Sequence, residues 1–326
     1  MFFHLIGLIV VGYYLLYYIA QLFVDCDLYL AYKERFGKSI DTLQGKVVWI
    51  VGASSGIGEH LAYSLARAGC KLVLSARRES ELLRVKERCL AVNKSLTADD
   101  VEVLLLDVLD TKTHSKAFEH VLNKFSRLDI LVNNSGRTQR AFWADIELGV
   151  DHEMFEVNVF GLISLSRIAL RYFMAQGKGH LAVTSSVAGL MGIPYSATYT
   201  ATKHALHGYY DSLRIEALGK NIKTTIFCPG PVQTPFLAES FTGKTGEKLG
   251  EQTAVTPDKI SSERCGELYA LALANGIHEC WVCFPKVMIL LHICFYYPNL
   301  GKLVMMIIGP QYLLRLRDSK KVSKLE

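Results

Sequence analysis

Short apolar runs alternating with amphipathic stretches predict a doubly wound α/β protein. Its parallel sheet would be covered by helices on both faces, in a single domain behind an N-terminal membrane anchor. Segments of two kinds alternate from residue 45 onward, and strands that alternate with helices imply crossover connections and a parallel sheet. Several runs, such as "VLLLDV", are apolar almost throughout, as strands buried on both faces are. The first 24 residues contain no Lys, Arg, Asp or Glu. At about 1.5 Å per residue they cover a bilayer core of about 30 Å.

The elements follow in order. A cleaved signal peptide has a basic start, a shorter apolar run and a small-residue cleavage site. Here "MFFHLIGLIVVGYYLLYYIAQLFV" is long, and Tyr13, Tyr14, Tyr17 and Tyr18 add aromatic bulk, so residues 1–24 read as a retained anchor. Residues 25–44 form a polar juxtamembrane segment leading to Gly45. "VVWIVGA" is a strand and "GEHLAYSLARAGC" has helical apolar spacing. "KLVLSARR" is the next strand, and "ESELLRVKERCLAV" is a charged amphipathic helix. "VEVLLLDV", "LDILVNNSG", "GHLAVTSSVAG" and "IKTTIFCPG" are further strands, with helical stretches between most of them.

The texture changes from about Val232, where "TPFLAESFTGKTGEKLGEQTAVTPDKI" predicts a mobile loop or lid. The domain is expected to cover residues 45–280, leaving residues 281–326 as an apolar segment with a basic tail. Within "VMILLHICFYYPNLGKLVMMIIGPQYLL", Pro298, Gly301, Lys302 and Pro310 interrupt both halves, so neither reaches spanning length. Two readings stand: a segment that touches the membrane or covers the substrate, or a helix packed on the core.

A composition of 50% apolar and 21% charged residues is globular. The net charge of +5 is modest and spread out, so nucleic acid is not an expected partner, and "RLRDSKKVSKLE" reads as a solvated tail. Eight cysteines in 326 residues make no disulfide scaffold. Cys280 and Cys283 form a lone C-x-x-C without a second pair, so no metal site is expected.

Chemistry concentrates in three places. Gly52, Gly56 and Gly58 sit where the first strand must turn sharply into a helix. Glycine permits that turn and lets a pyrophosphate approach the main chain. The helix that follows offers unpaired N–H groups and its positive dipole end, and Ser54 and Ser55 add hydroxyls. The second strand ends in "ARR" with no acid at its tip. Arg77 or Arg78 would pair with a 2′-phosphate, which favours NADP(H) over NAD(H). Further on, Tyr199 and Lys203 lie four apart and share a helical face, and Ser186 ends a strand thirteen positions before Tyr199. Carbonyl reduction needs a proton donor beside the oxygen. Bringing a tyrosine from its ordinary pKa of about 10 down by two to three units takes on the order of 3–4 kcal/mol. A lysine ammonium and a positive nicotinamide ring can supply that preference.

With "VGASSGIG", "NNSG" and "YTATK" in this order and spacing, the chain resembles the short-chain dehydrogenase/reductase family over about residues 45–265. The resemblance implies a Rossmann-type sheet and a catalytic set of Asn158, Ser186, Tyr199 and Lys203. Tyr199 would be the general acid/base, and Lys203 the ribose ligand that tunes it. Ser186 would position the reacting oxygen, and Asn158 would hold a helix bend and the water of a proton relay. Gly52, Ser54, Ser55, Gly56, Ile57 and Gly58 would form the turn around the pyrophosphate. Asp107 would contact the adenine, Asn134 would lie where the adenosine half meets the sheet, and Pro229, Gly230 and Thr234 would flank the nicotinamide. Val51 replaces the family's usual threonine and Ser135 its usual alanine, both at the turn rather than at the reacting centre.

The subgroup it resembles most consists of endoplasmic reticulum proteins linked to steroid, retinoid and other carbonyl substrates. The expectation is an NADP(H)-dependent oxidoreductase that interconverts a carbonyl and an alcohol on a lipophilic substrate (steroid, retinoid or xenobiotic carbonyl). Its partners would be that small molecule and the membrane, and the resemblance leaves room for a homodimer. A ketoreductase of acyl or sphingoid chains keeps the same chemistry. A catalytically silent cofactor-binding scaffold is the rival from another class, and the intact catalytic set argues against it. Orientation has evidence on both sides. Lys33, Arg35 and Lys38 follow the anchor and favour a cytoplasmic domain. The Asn93 sequon "NKS", in a polar stretch expected to be exposed, and lumenal relatives with steroid substrates favour the other side.

Overall fold

The structure is a computed structural model that describes residues 2–250 and 259–318. Part of the expected lid (251–258) and the basic tail from 319 lie outside the described residues. The chain opens with helices α1 (Phe2–Gln21) and α2 (Leu28–Phe36). The first half of the sheet region runs β1 (Val47–Val51), α3 (Gly56–Arg67), β2 (Lys71–Ala76), α4 (Glu79–Val92), β3 (Val101–Leu105), α5 (His114–Phe125) and β4 (Ile130–Asn133). The second half runs α6 (Leu148–Phe155), α7 (Gly161–Gln176), β5 (Gly179–Thr184), α8 (Ala197–Glu216) and β6 (Ile222–Pro229). Beyond a short pair, β7 (Val232–Gln233) and β8 (Ile260–Ser261), come α9 (Ser262–Asn275), β9 (Glu279–Val282), α10 (Pro285–Tyr296) and α11 (Pro298–Asp318).

Seven strands form one sheet in the order β3-β2-β1-β4-β5-β6-β9, and every neighbouring pair is parallel. Strand order reverses between β1 and β4, which opens a crevice at their C-terminal ends. The fold is the doubly wound, Rossmann-type α/β fold that the alternating segments predict. Strand alternation sends Val48 and Ile50 into the core under α3, α4 and α9. Val47, Trp49 and Val51 enter the opposite core, under α5, α7, α8 and α10. Cys280 and Cys283 fall in these two separate cores, on opposite faces of the sheet.

The polar stretch after α1 folds onto the domain. The Asp27 side chain accepts from Leu30 N (2.9 Å) and caps α2. It also accepts from Trp281 N (2.8 Å), and Asp27 N donates back to Trp281 O (2.8 Å). Arg264 on α9 clamps Asp25 at 2.8 and 2.9 Å. Gln21 at the end of α1 is buried and bonds Cys26 O, so α1 leaves the domain at a fixed point. Apart from Gly12, Tyr17 and Tyr18, which are half-buried, the rest of α1 is exposed, and the helix is long and apolar enough to cross a membrane. Asn93 ends α4 half-buried, with its amide nitrogen on Ala66 O (2.9 Å), so it is less exposed than the polar stretch around it suggests.

Candidate active site

At the crevice, β1 ends in a turn whose floor only glycine can make. Gly52 and Gly56 take φ of 92° and 62°. A Cβ on Gly52 would stand 2.6 Å from Ser135 N, and one on Gly56 would stand 2.9 Å from Thr234 Cγ2. Gly58 lies against Gly52 O, so α3 presses close behind the turn. Ser55, the N-cap of α3, makes no side-chain capping bond, leaving the helix N–H groups directed at whatever anion lies in front of them. Arg78 crosses from the end of β2 to bond Ser54 Oγ (3.0 Å) and Ser55 Oγ (3.1 Å). Asn134 spans the switch point: its Nδ2 donates to Gly52 O (2.9 Å), and its Oδ1 accepts from Thr184 Oγ1 (2.8 Å).

The same crevice continues to the helix that carries Tyr199 and Lys203. It is a cleft of about 800 Å³ lined by every catalytic and cofactor-binding residue expected from the sequence except Gly58 and Asn158. Those two lie behind it. Asn158 is fully buried in a π-helical turn, Glu156–Phe160, between α6 and α7. Such turns insert an extra residue and are frequent at functional sites. Its amide locks two elements together, accepting from Arg137 N (2.8 Å) while donating to Arg137 O (2.8 Å) and Thr202 Oγ1 (3.0 Å).

Lys203 is buried, and its Nζ donates to Thr184 O (2.8 Å) and stands 5.6 Å from the centre of the Tyr199 ring. Burial pushes the Tyr199 pKa up, and the Ser186 hydroxyl and the Arg140 guanidinium pull it partly back. Ser186 Oγ itself donates to Pro229 O (3.3 Å) and accepts from Ala188 N (3.2 Å). In the protein alone, then, the phenol is held in its protonated form. A bound positive ring would have to supply the remaining pull toward the phenolate.

Burial also lowers the Lys203 pKa, to about 8 from 10.5. Between those values the unfolded chain keeps a proton that the folded chain has released. Stability therefore rises with pH across that window and is lower below it. Lys203→Met removes this titration. Any stability advantage of the Met variant at neutral pH is expected to shrink by about 3 kcal/mol as pH passes from below 8 to above 10.5. Urea unfolding of the full chain at a series of pH values reads this, and parallel curves for the two proteins would contradict it.

The sequence left two parts of the site unannounced. His207, a further turn along the face of Tyr199 and Lys203, sits 3.0 Å from Ser185 Oγ through Nε2 and 3.2 Å from Glu279 Oε2 through Nδ1. Burial works against the Glu279 carboxylate, but bonds from His207 and Trp281 outweigh it and keep its pKa below the usual value. The spacing of four carried this signal. Arg140 holds the Ser196 loop beside Tyr199, with Nη1 at 2.8 Å from Thr138 Oγ1 and 3.2 Å from Ser196 Oγ. Val287, Leu290 and Leu313, from the two C-terminal helices, line the cleft. Those helices therefore both cover the cleft and pack on the core, so the two readings of the segment do not exclude each other.

The family model "short chain dehydrogenase" matches residues 46–245. "Dehydrogenase/reductase SDR family member 7" of Homo sapiens is 39% identical over 277 residues, covering 84% of this chain and 81% of that protein. "11-beta-hydroxysteroid dehydrogenase-like 4A" of Arabidopsis thaliana is 34% identical, covering 74% of this chain and 76% of that one. Among solved structures, an alcohol dehydrogenase from Thermococcus sibiricus complexed with 5-hydroxy-NADP is 26% identical. It superposes with a TM-score of 0.64 over 74% of this chain and 97% of that one. A short chain dehydrogenase/reductase from Burkholderia phymatum in complex with NAD shares the fold, with 23% identity and a TM-score of 0.68 over 79% of this chain and 96% of that one. The fold binds a nicotinamide cofactor, and the glycine floor, the open N-terminus of α3 and the cleft fit one. By the family model and the identity over most of its length, this chain belongs to the short-chain dehydrogenase/reductase family of oxidoreductases.

Proposed function

We propose that the protein is an NADP(H)-dependent oxidoreductase of the endoplasmic reticulum membrane that interconverts a carbonyl and an alcohol on a lipophilic substrate of steroid, retinoid or xenobiotic type. The observation that carries this reading is the meeting of Ser186, Tyr199 and Lys203 in a cleft that Val187, Met191, Ile193 and Leu290 make apolar. When bound, the cofactor supplies or accepts a hydride. Ser186 holds the substrate oxygen beside Tyr199. The Tyr199 phenol gives its proton to that oxygen in reduction and takes it back in oxidation. Lys203 binds the ribose and favours the phenolate by its charge. Asn158 keeps the π-helical turn and ties it, through Thr202, to the helix that carries Lys203. Arg77 reads the 2′-phosphate while Arg78 braces the glycine turn beside it, an assignment supported by the absence of an acid at the tip of β2. The 11-beta-hydroxysteroid name of plant relatives supports a steroid-like substrate class, and the exposed apolar α1 supports the membrane.

The test is cofactor absorbance during incubation of the full chain in vesicles with NADPH and a panel of steroid, retinoid and aromatic ketones and aldehydes. Consumption on at least one of these, faster with NADPH than with NADH, is the expected result. Consumption only on 3-ketoacyl or ketosphingoid chains would move the substrate to lipid synthesis. Tight cofactor binding without turnover on any carbonyl would overturn the enzyme reading.

A further inference from the structure

We infer that α11 is a second membrane contact, lying in the bilayer boundary beside α1, and that it forms the wall through which a membrane-dissolved substrate enters the cleft. The choice of substrate rests on the function proposed above; the membrane contact does not.

The first observation is an aromatic cluster at one level along α1. Tyr17 Oη bonds His292 Nε2 on α10 at 2.8 Å, and the Tyr17 and Tyr18 rings meet the His292 ring edge-on. Tyr296, at the end of α10 where the chain passes into α11, packs on the same His292 ring (centroids 5.8 Å apart). Rings from the second half of α1 and from the α10–α11 corner therefore form one belt. Tyrosine, with an apolar body and a polar tip, favours the boundary between lipid and water. Beyond that belt α1 continues as an exposed apolar helix through Ile9, Leu8, Leu5 and Phe3. The belt thus places the start of α11 beside the domain-proximal half of α1.

The second observation is that α11 is apolar on both sides. Val304, Met305 and Ile308 pack inward on the core. Leu300, Leu303, Met306 and Ile307 face outward, the last two 73% and 77% exposed. A helix on a watery surface presents polar residues outward. Here Lys302 is the one charge between Leu300 and Tyr312, and its long stem lets the ammonium reach the headgroups. A non-helical residue at Gly309 followed by Pro310 kinks the helix, so it suits lying in the boundary rather than crossing it. Continuity with α1 makes lipid, rather than a second copy of the chain, the occupant of this face.

The third observation joins this face to the chemistry. Leu313 of α11, with Val287 and Leu290 of α10, lines the cleft that holds Tyr199. The helix that meets lipid and the wall of the substrate pocket are the same element. An apolar substrate dissolved in the bilayer can then reach the cleft without crossing water.

The contact is tested on the full chain in phosphatidylcholine vesicles, in a Cys294→Ser background, since the other cysteines are buried. Ile307→Cys and, as a control on the exposed face of α4, Glu87→Cys are labelled with the fluorophore NBD. At position 307, blue-shifted emission quenched by doxyl-phosphatidylcholine but not by iodide is expected, with the reverse at position 87. Iodide quenching at both positions would overturn the inference. Protection from iodide without doxyl quenching would also overturn it, because protein rather than lipid would then cover the helix. The portal is tested with Met306→Asp/Ile307→Asp. The apparent KM for a lipophilic ketone presented in vesicles should rise severalfold, while that for a short water-soluble ketone stays unchanged. Equal changes for both ketones would refute the portal. A chain with no turnover at all would refute the proposed function, and the quenching result would still decide the membrane contact.

Discussion

Tyr199→Phe is expected to lower kcat by about 10³-fold or more and to leave cofactor affinity within about twofold of the native protein. The substitution removes one oxygen and no carbon. The ring keeps its place against Phe236 (centroids 6.3 Å apart). Lys203 keeps its bond to Thr184 O, and Asn158 keeps its hold on Thr202, because neither passes through the phenol oxygen. The cofactor surface is therefore intact, and the transferable proton is gone. What remains is the Ser186 hydroxyl, which can hold a carbonyl oxygen but cannot replace the acid. Lys203→Met gives a different pattern, because one side chain serves the ribose and the phenol: KM for the cofactor rises together with the fall in kcat. Single-turnover rates and cofactor titrations of both variants make the comparison. Substantial turnover by the Phe variant at saturating cofactor would remove Tyr199 from the mechanism.

The sequence was most legible where one local rule was enough. β1 through β6 are short runs rich in β-branched residues and bounded by glycine or charge, and the turns after them carry the chemistry, so motif and strand end reinforced each other. β9 was not legible. Glu279–Val282 reads Glu-Cys-Trp-Val, too short for a period, and it becomes a strand because β6 offers an open edge and Asp27 bonds its Trp281. That bond links residues far apart in the chain, and no window on the sequence contains it. The position of Asn158 behind the cleft was equally hidden, since an extra residue in a helical turn is set by the packing of α6, α7 and α8. The C-terminal helices were ambiguous for a physical reason. A helix with one face on a core and an apolar face turned outward has no polar side, so its sequence matches neither a surface helix nor a membrane span.

Arg77→Asp combined with Arg78→Leu is expected to turn a preference for NADP(H) into a preference for NAD(H), with a change in the ratio of affinities of about 10²- to 10⁴-fold. The two arginines do different work, which the pairing of substitutions must respect. Arg78 already bonds Ser54 and Ser55 at 3.0 and 3.1 Å, so its work is to brace the glycine turn. Removing it alone should weaken both cofactors to a similar degree through the loosened turn. Arg77 is exposed at the tip of β2 and lines the cleft, and its charge acts on Arg137 across the opening. An aspartate at position 77 repels the 2′-phosphate and accepts from the two ribose hydroxyls that NAD(H) leaves free. Selectivity should therefore follow Arg77→Asp, and overall affinity should follow Arg78→Leu. Dissociation constants for NADP(H) and NAD(H) with each single variant and the double variant separate the two effects. Equal losses for both cofactors in Arg77→Asp would show that the strand end does not read the phosphate.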